Sequence, residues 1–184
     1  MDTSSLVELR KILGGRNLYL VGMMGSGKTS TGPLLAKALG YRFIDSDLVV
    51  EKLMGLSISQ IFEKEGEKGF RKIESKVLQS IGECHSLVVS TGGGVVIEKE
   101  NWGILHTGIV IWIDPERDVL LKRLKSDSSK RPLFLNDDEA AFDCLRIERE
   151  PFYREADLHI IVDDESVEKV TESVLENLAK IVIS

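Results

Sequence analysis

The eight residues Gly22-Met23-Met24-Gly25-Ser26-Gly27-Lys28-Thr29 constrain this chain more than any other stretch. They fit G-x-x-x-x-G-K-[ST], a glycine-rich loop whose backbone N–H groups surround phosphate oxygens. Both flanks meet the structural requirement of that pattern. Asn17-Leu18-Tyr19-Leu20-Val21 is a short apolar run with aromatic and β-branched members, which predicts a buried strand. Beyond the loop, Leu34, Leu35, Ala38 and Leu39 recur at helical spacing. Strand, loop and helix in that order aim amides and a helix N-terminus at an anion. Gly25, Ser26, Gly27 and Ser30 belong to the cradle. Lys28 places a point charge between β- and γ-phosphates, and the Thr29 hydroxyl is a ligand for Mg²⁺. A chance lysine in a glycine-rich turn would leave both flanks unexplained. The expectation is a nucleoside triphosphate site. Where the phosphate goes is a separate question.

The chain has 184 residues, 42% of them hydrophobic and 29% charged, with a net charge of −6. That length predicts a single domain over 1–184 with a real core. The negative balance argues against nucleic acid or an anionic membrane as partner, so an anionic substrate must be held by individual cations. Cys84 and Cys144 match no metal spacing and read as reduced thiols. No apolar run approaches the ~20 residues of a membrane span, and Met1–Arg16 lacks the apolar core of a signal peptide. These features predict a cytoplasmic protein, or one of the plastid stroma if a transit peptide has been removed.

Strand and helix patterns alternate along the chain. Strands are expected at Tyr41–Ile44, Leu87–Thr91, Gly108–Ile113 and Leu158–Val162. Ser57 and Gln60 fit a capping box that opens a helix through about Glu65, and another helix is expected over Glu67–Ile81. Helices are expected also at about 5–13, Asp47–Met54, Glu98–Leu105, Glu116–Lys125 and Glu139–Glu150, the last ending at Pro151. Asp127–Asp138 is polar and turn-rich and reads as a mobile loop. Such alternation predicts an α/β protein with a parallel sheet covered on both faces. Ligands in such sheets bind beyond the carboxyl ends of the strands, where the glycine loop, Asp45-Ser46-Asp47 and Gly92-Gly93-Gly94 all fall.

Phosphoryl transfer needs positioning, metal and positive charge around the moving group. Asp45 and Asp47, two positions apart at a strand end, can divide the remaining tasks. One can face the metal, and the other can take the proton of an attacking hydroxyl. Alternatively, Asp47 caps the helix that starts there. Arg71 and Glu74 share a helix face, either as a surface ion pair or as a bidentate grip on a substrate carboxylate with Glu74 orienting it. Arg131 lies in the turn-rich loop, where a lid cation could close over phosphates. Arg149 reads equally as a helix C-terminal charge.

Taken together, GMMGSGKT, FIDSD, SISQIFEKEGEKGFRKIE, STGGG, RPL and REPFY resemble the blocks of the shikimate kinase family in order and spacing. The resemblance runs from about Arg16 onward. It implies a P-loop nucleoside monophosphate kinase-like three-layer fold with a central parallel five-stranded sheet. A mobile lid at about 124–138 and a substrate-binding helical region at about 47–82 come with it. The implied reaction is ATP-dependent phosphorylation of the 3-hydroxyl of shikimate. On that resemblance Asp47 contacts the substrate hydroxyls and is the base, with Lys28 and Arg131 in the catalytic set. Asp45 and Ser90 join Thr29 near Mg²⁺, and Arg71 and Arg149 bind the substrate carboxylate. Gly93 and Gly94 offer N–H groups, and Arg123 lies against adenine. Phe62 and Phe70 either wall the pocket or belong to the core.

Two departures stand out. Pro33 falls in the second turn of the P-loop helix, so that helix either starts late or bends. The lid segment Ser126-Asp127-Ser128-Ser129-Lys130 is idiosyncratic. Two other readings compete: a small-molecule kinase for another sugar acid such as gluconate, and a nucleotide-binding interaction module. Degenerate lysine, aspartates or arginines would mark the module, and this chain shows none. A monomer or weak homodimer is expected.

Overall fold

The computed structural model describes residues 2–126 and 138–183. In chain order the elements are α1 (Thr3–Leu13), β1 (Leu18–Val21), α2 (Lys28–Leu39), β2 (Arg42–Asp45), α3 (Ser46–Met54), α4 (Ile58–Gly82) and β3 (Leu87–Ser90). Then come α5 (Lys99–Leu105), β4 (Ile109–Pro115), α6 (Arg117–Ser126), α7 (Glu139–Tyr153), β5 (Leu158–Val162) and α8 (Val167–Ile183). The strands form one parallel five-stranded sheet in the order β2-β3-β1-β4-β5.

Alternation along the strands divides the core into two. Tyr19, Val21, Val89 and Trp112 face one way, against α3 to α7. Leu18, Leu20, Val88 and Ile111 face the other, against α1, α2 and α8. This is the three-layer α/β arrangement expected of continuous apolar strands. It sends β1, β2 and β3 side by side into one edge, where the functional loops emerge.

Local chemistry accounts for most boundaries. Ser57 and Gln60 make both bonds of the capping box: the Gln60 N–H donates to Ser57 Oγ, and the Ser57 N–H donates to Gln60 Oε1. The two helices expected beyond it form one element, α4, whose backbone breaks at Gly66 with φ 68° and ψ 175°. Glycine alone tolerates that conformation cheaply.

Three expectations need correction. The P-loop helix does not start late: α2 begins at Lys28 and continues to Leu39 with Pro33 inside it. Proline leaves the Thr29 carbonyl without its helical donor. The residue before it is Gly32, which has no Cβ to clash with the proline ring and so stays helical. Helix α7 does not end at Pro151 but continues to Tyr153. Arg149 and Tyr153 are both buried, and one more turn sets them four residues apart on the same face. Strand β4 runs to Pro115 rather than Ile113, because Asp114 and Pro115 still pair with Ile161 and Val162 of β5. Pro115 lies past the last residue of β1 that pairs with β4, where a missing N–H is tolerated.

Candidate active site

At the end of β1 the chain enters the glycine loop, and Gly27 (φ 97°) turns it into α2. Lys28 is buried, and its Nζ donates to the carbonyls of Gly22 and Met23, each at 2.9 Å, and to Ser26 Oγ at 3.2 Å. Arg123, on α6, approaches from the other side, its Nη1 3.4 Å from the Gly25 carbonyl. The loop from Gly25 to Ser30 lines a cleft shared with Asp45, Asp47, Ser90 and Gly93. Thr31, Glu165, Val167 and Val170 line it too. Those last three escape sequence reasoning, because nothing local ties the start of α8 to a loop some 140 residues earlier.

Beside Lys28 lies a cluster of oxygens. Thr29 Oγ1 donates to Asp45 Oδ2 at 2.8 Å and lies 3.1 Å from Ser90 Oγ. Asp45 Oδ1 meanwhile accepts from the N–H groups of Asp47 and Leu48, at 3.0 and 3.3 Å. Asp45 therefore caps α3, which leaves the Asp47 side chain out of that duty. Two hydroxyls and one carboxylate are hard oxygen donors of the kind Mg²⁺ accepts alongside phosphate oxygens and water. Among the described residues no group of three His, Cys, Asp or Glu side chains could hold a metal unaided. The donor set thus fits a nucleotide-borne Mg²⁺.

Behind Asp47 and Gly93, which line the cleft, lies a buried charge cluster. Arg71 and Glu74, on the second part of α4, are 6% and 1% exposed, and Arg71 Nη1 donates to Glu74 Oε2 at 2.7 Å. Glu67, one turn earlier, takes Arg71 Nη2 at 3.2 Å. A surface ion pair is excluded by that burial. Burial opposes the charge of Arg71, but Glu74 and Glu67 outweigh it and hold the guanidinium pKa above its ordinary value. The Glu74 carboxyl is pushed up, first by burial, against the pull of Arg71 and Arg149. Asp47 is pushed up to about 7, by burial first and then by the charges of Glu74 and Asp45, with Lys28 and Arg71 opposing. Arg149 is 1% exposed. Asp47 Oδ1, Glu74 Oε1, Arg149 Nε and Arg149 Nη2 are buried and find no hydrogen-bond partner among the described residues. Buried polar groups are rarely left so, and four in one place mark a surface made for a polar ligand.

Gly92-Gly93-Gly94 forms the floor of this cluster. A Cβ on Gly92 would lie 2.4 Å from Glu74 Oε1 and 2.9 Å from Asp47 Oδ1. One on Gly94 would lie 2.2 Å from Arg71 Nη2, and one on Gly93 3.5 Å from Arg149 Nη1. Gly92 and Gly94 are thus spaces taken up by the side chains of Glu74, Asp47 and Arg71. The Gly92 N–H is held by Ser46 Oγ at 3.2 Å, and the Tyr153 hydroxyl donates to the Gly93 carbonyl.

The structure thus brings Lys28, Thr29, Asp45, Asp47, Ser90, Gly93 and Arg123 around one opening, and sets Arg71, Glu74, Gly94 and Arg149 behind its lining, against Asp47 and the triple glycine. Arg131 and most of the expected lid lie outside the described residues. Phe70 is core, its ring 4.6 Å from that of half-buried Phe62 and beneath the Arg71 guanidinium at 5.2 Å.

The model of the shikimate kinase family matches residues 24–179. The chain belongs to that family. A shikimate kinase of Prochlorococcus marinus (strain MIT 9211) is 56% identical over 177 residues, covering 96% of this chain and 90% of the relative. Among solved structures, the shikimate kinase from Acinetobacter baumannii in complex with shikimate superposes with a TM-score of 0.89 at 34% identity, covering 96% of this chain and 99% of the other. A gluconokinase from Sinorhizobium meliloti, at 18% identity and a TM-score of 0.59 (92% and 94% covered), shares the fold alone. The family phosphorylates shikimate with ATP and Mg²⁺, and this chain is a kinase of that family.

Proposed function

We propose that this chain transfers the γ-phosphoryl group of ATP to the 3-hydroxyl of shikimate, with Asp47 as base. Lys28 and the amides of Gly25–Ser30 hold the phosphates, and Arg123 lies against adenine. Thr29, Asp45 and Ser90 take the Mg²⁺ side, where the metal supplies charge neutralisation between β- and γ-oxygens. Arg71 and Arg149 grip the substrate carboxylate, Glu74 orients Arg71, and the Gly93–Gly94 backbone backs the ring. As the acceptor oxygen attacks, its proton passes to an Asp47 oxygen. The new O–P bond forms as the β–γ bridging bond breaks, giving shikimate 3-phosphate and ADP.

The observation that carries this reading is the buried trio Arg71, Glu74 and Arg149 beside half-buried Asp47, with four unpartnered atoms among them. A substrate with one carboxylate and several hydroxyls supplies complementary groups to all of them: an anion for the guanidinium and hydroxyl donors for the carboxylates. A coupled assay with ATP and Mg²⁺ against shikimate, gluconate and other sugar acids tests it. Shikimate is expected to have the highest kcat/KM, and absence of turnover with shikimate would overturn the proposal. We place the working enzyme in the cytoplasm as a monomer or weak homodimer. The compartment rests on two features: both cysteines are free thiols, and no described helix is long and apolar enough to cross a membrane.

A further inference from the structure

We infer that Tyr153 is a positioning residue for the acceptor: it fastens the Gly93 backbone to α7 one turn from Arg149, so that both meet the substrate in fixed register. The inference rests on the proposed acceptor roles of Gly93 and Arg149 and adds a residue to them. Tyr153 is 1% exposed and lies one helical turn after Arg149 on α7. Its hydroxyl donates to the Gly93 carbonyl, and the Met23 sulfur lies 3.8 Å from the same oxygen. Arg149 stands close enough to draw the phenol's pKa down, yet burial outweighs it and keeps the pKa above its ordinary value. The hydroxyl therefore remains a donor at any pH at which the enzyme works.

Gly93 and Arg149 come from distant parts of the chain. Gly93 sits in a loop after β3, and Arg149 sits on α7, which begins at Glu139. The phenol, carried by the same helix as Arg149, reaches the Gly93 carbonyl, and the space a Gly93 Cβ would fill lies 3.5 Å from Arg149 Nη1. The ring itself is immobilised by stacking on Trp112, at 5.7 Å between centroids and 24° between planes. Trp112 stacks in turn on His159 at 3.9 Å, and His159 Nε2 lies 2.8 Å from Asp114 Oδ2. The hydroxyl is thus aimed by a rigid aromatic stack rooted in β4 and β5, while its work is done at the β3 loop. A tyrosine with only a packing role would need no hydroxyl there.

Tyr153→Phe keeps the ring and its stack and removes only the donor. The expected result is a KM for shikimate raised at least threefold, with the KM for ATP within twofold of the parent enzyme. A KM for shikimate raised less than threefold, or both constants rising together, overturns the inference, the second outcome indicating a merely structural role. Arg149→Lys is measured alone and combined with Tyr153→Phe. If Tyr153 acts through this cluster, its effect shrinks in the lysine background; strictly additive effects overturn it. If Arg149→Lys alone leaves the shikimate KM unchanged, the carboxylate role of Arg149 falls, and the inference with it. If Arg149→Lys raises that KM but Tyr153→Phe does not, only the inference falls.

Discussion

The two halves of the cleft are built on opposite principles. The donor half is a contiguous loop whose groups satisfy one another: Lys28 on loop carbonyls, Thr29 on Asp45, Asp45 on the amides of α3. The acceptor half is drawn from α3, α4, the β3 loop and α7, and it holds four buried polar atoms with no partner among the described residues. The donor half is stable as it stands. In the acceptor half, burial first and then the charges of Glu74 and Asp45 raise Asp47 to about 7, and Arg149 is buried with orphaned atoms of its own. A site that keeps its binding groups unpaired sacrifices stability for the ligand that will pair them.

The largest expected effect breaks this contrast at Asp47. Asp47→Asn should lower kcat by about 10²–10⁴-fold, the usual worth of a general base, with the KM for ATP nearly unchanged. In the parent enzyme kcat/KM for shikimate should fall as pH drops through about 7, because the base must be ionised, and the asparagine variant should lose that limb. Stability moves the other way. The folded pKa lies above the ordinary 3.8, so the native state binds the proton more tightly than the unfolded chain. Stability therefore falls as pH rises from 3.8 to about 7, and the cost is full above that range. Melting curves should show the variant more stable than the parent at pH 8 and equal to it below pH 4. Equal melting at both pH values would mean that Asp47 is not strained.

Arg71→Lys comes next. An ammonium cannot reproduce the fork that Glu74 and Glu67 hold, and the loss of a charge-assisted pair of ~1.5–3 kcal/mol corresponds to a shikimate KM raised roughly 10- to 150-fold. A KM within twofold of the parent would remove Arg71 from the carboxylate clamp.

A pair of glycine substitutions then sharpens the comparison. Gly94→Ala must displace the Arg71 guanidinium, and a cost of about 1.4 kcal/mol there is a tenfold rise in shikimate KM at constant ATP KM. Gly32→Ala, on the donor helix, drives its Cβ to within 2.2 Å of the Phe43 ring. It should cost ~1–3 kcal/mol of stability, read as a lower Tm, with no selective change in shikimate KM. Reversal of these two signatures would dissolve the distinction between the halves. The smallest effect is at Pro33. Pro33→Ala restores a helical donor to the Thr29 carbonyl and should raise Tm by a few degrees, a gain of about 1 kcal/mol, while both KM values stay put. A lower Tm would mean that proline's restriction of the unfolded chain outweighs the missing bond.

Legibility in the sequence followed the same division. The Gly27–Lys28–Thr29 turn, the capping box at Ser57 and the break near Gly66 all depend on residues within four positions of one another, and each was readable. Pro151 misled because a local rule, that proline ends helices, was overridden by packing, while at Pro33 the structure removed only the late start from a choice between a late start and a bend. Gly32 relieves the clash before Pro33, and the buried pair Arg149 and Tyr153 carries α7 past Pro151. For Asp47, the choice between capping and chemistry turned on Asp45 taking the cap, a matter of side-chain orientation that spacing cannot express. For Arg71 and Glu74, the helical spacing was plain but burial was not.

The sequence by itself determined the three-layer parallel sheet and the phosphate loop, because alternating periodicities and a contiguous glycine motif act through the nearest few residues. Only the tertiary structure decided that Asp47, Arg71, Glu74 and Arg149 meet over three glycines with atoms to spare. Their mutual distances depend on how helices from separate parts of the chain settle on one sheet edge. Their charge states depend on how completely that settling removes water.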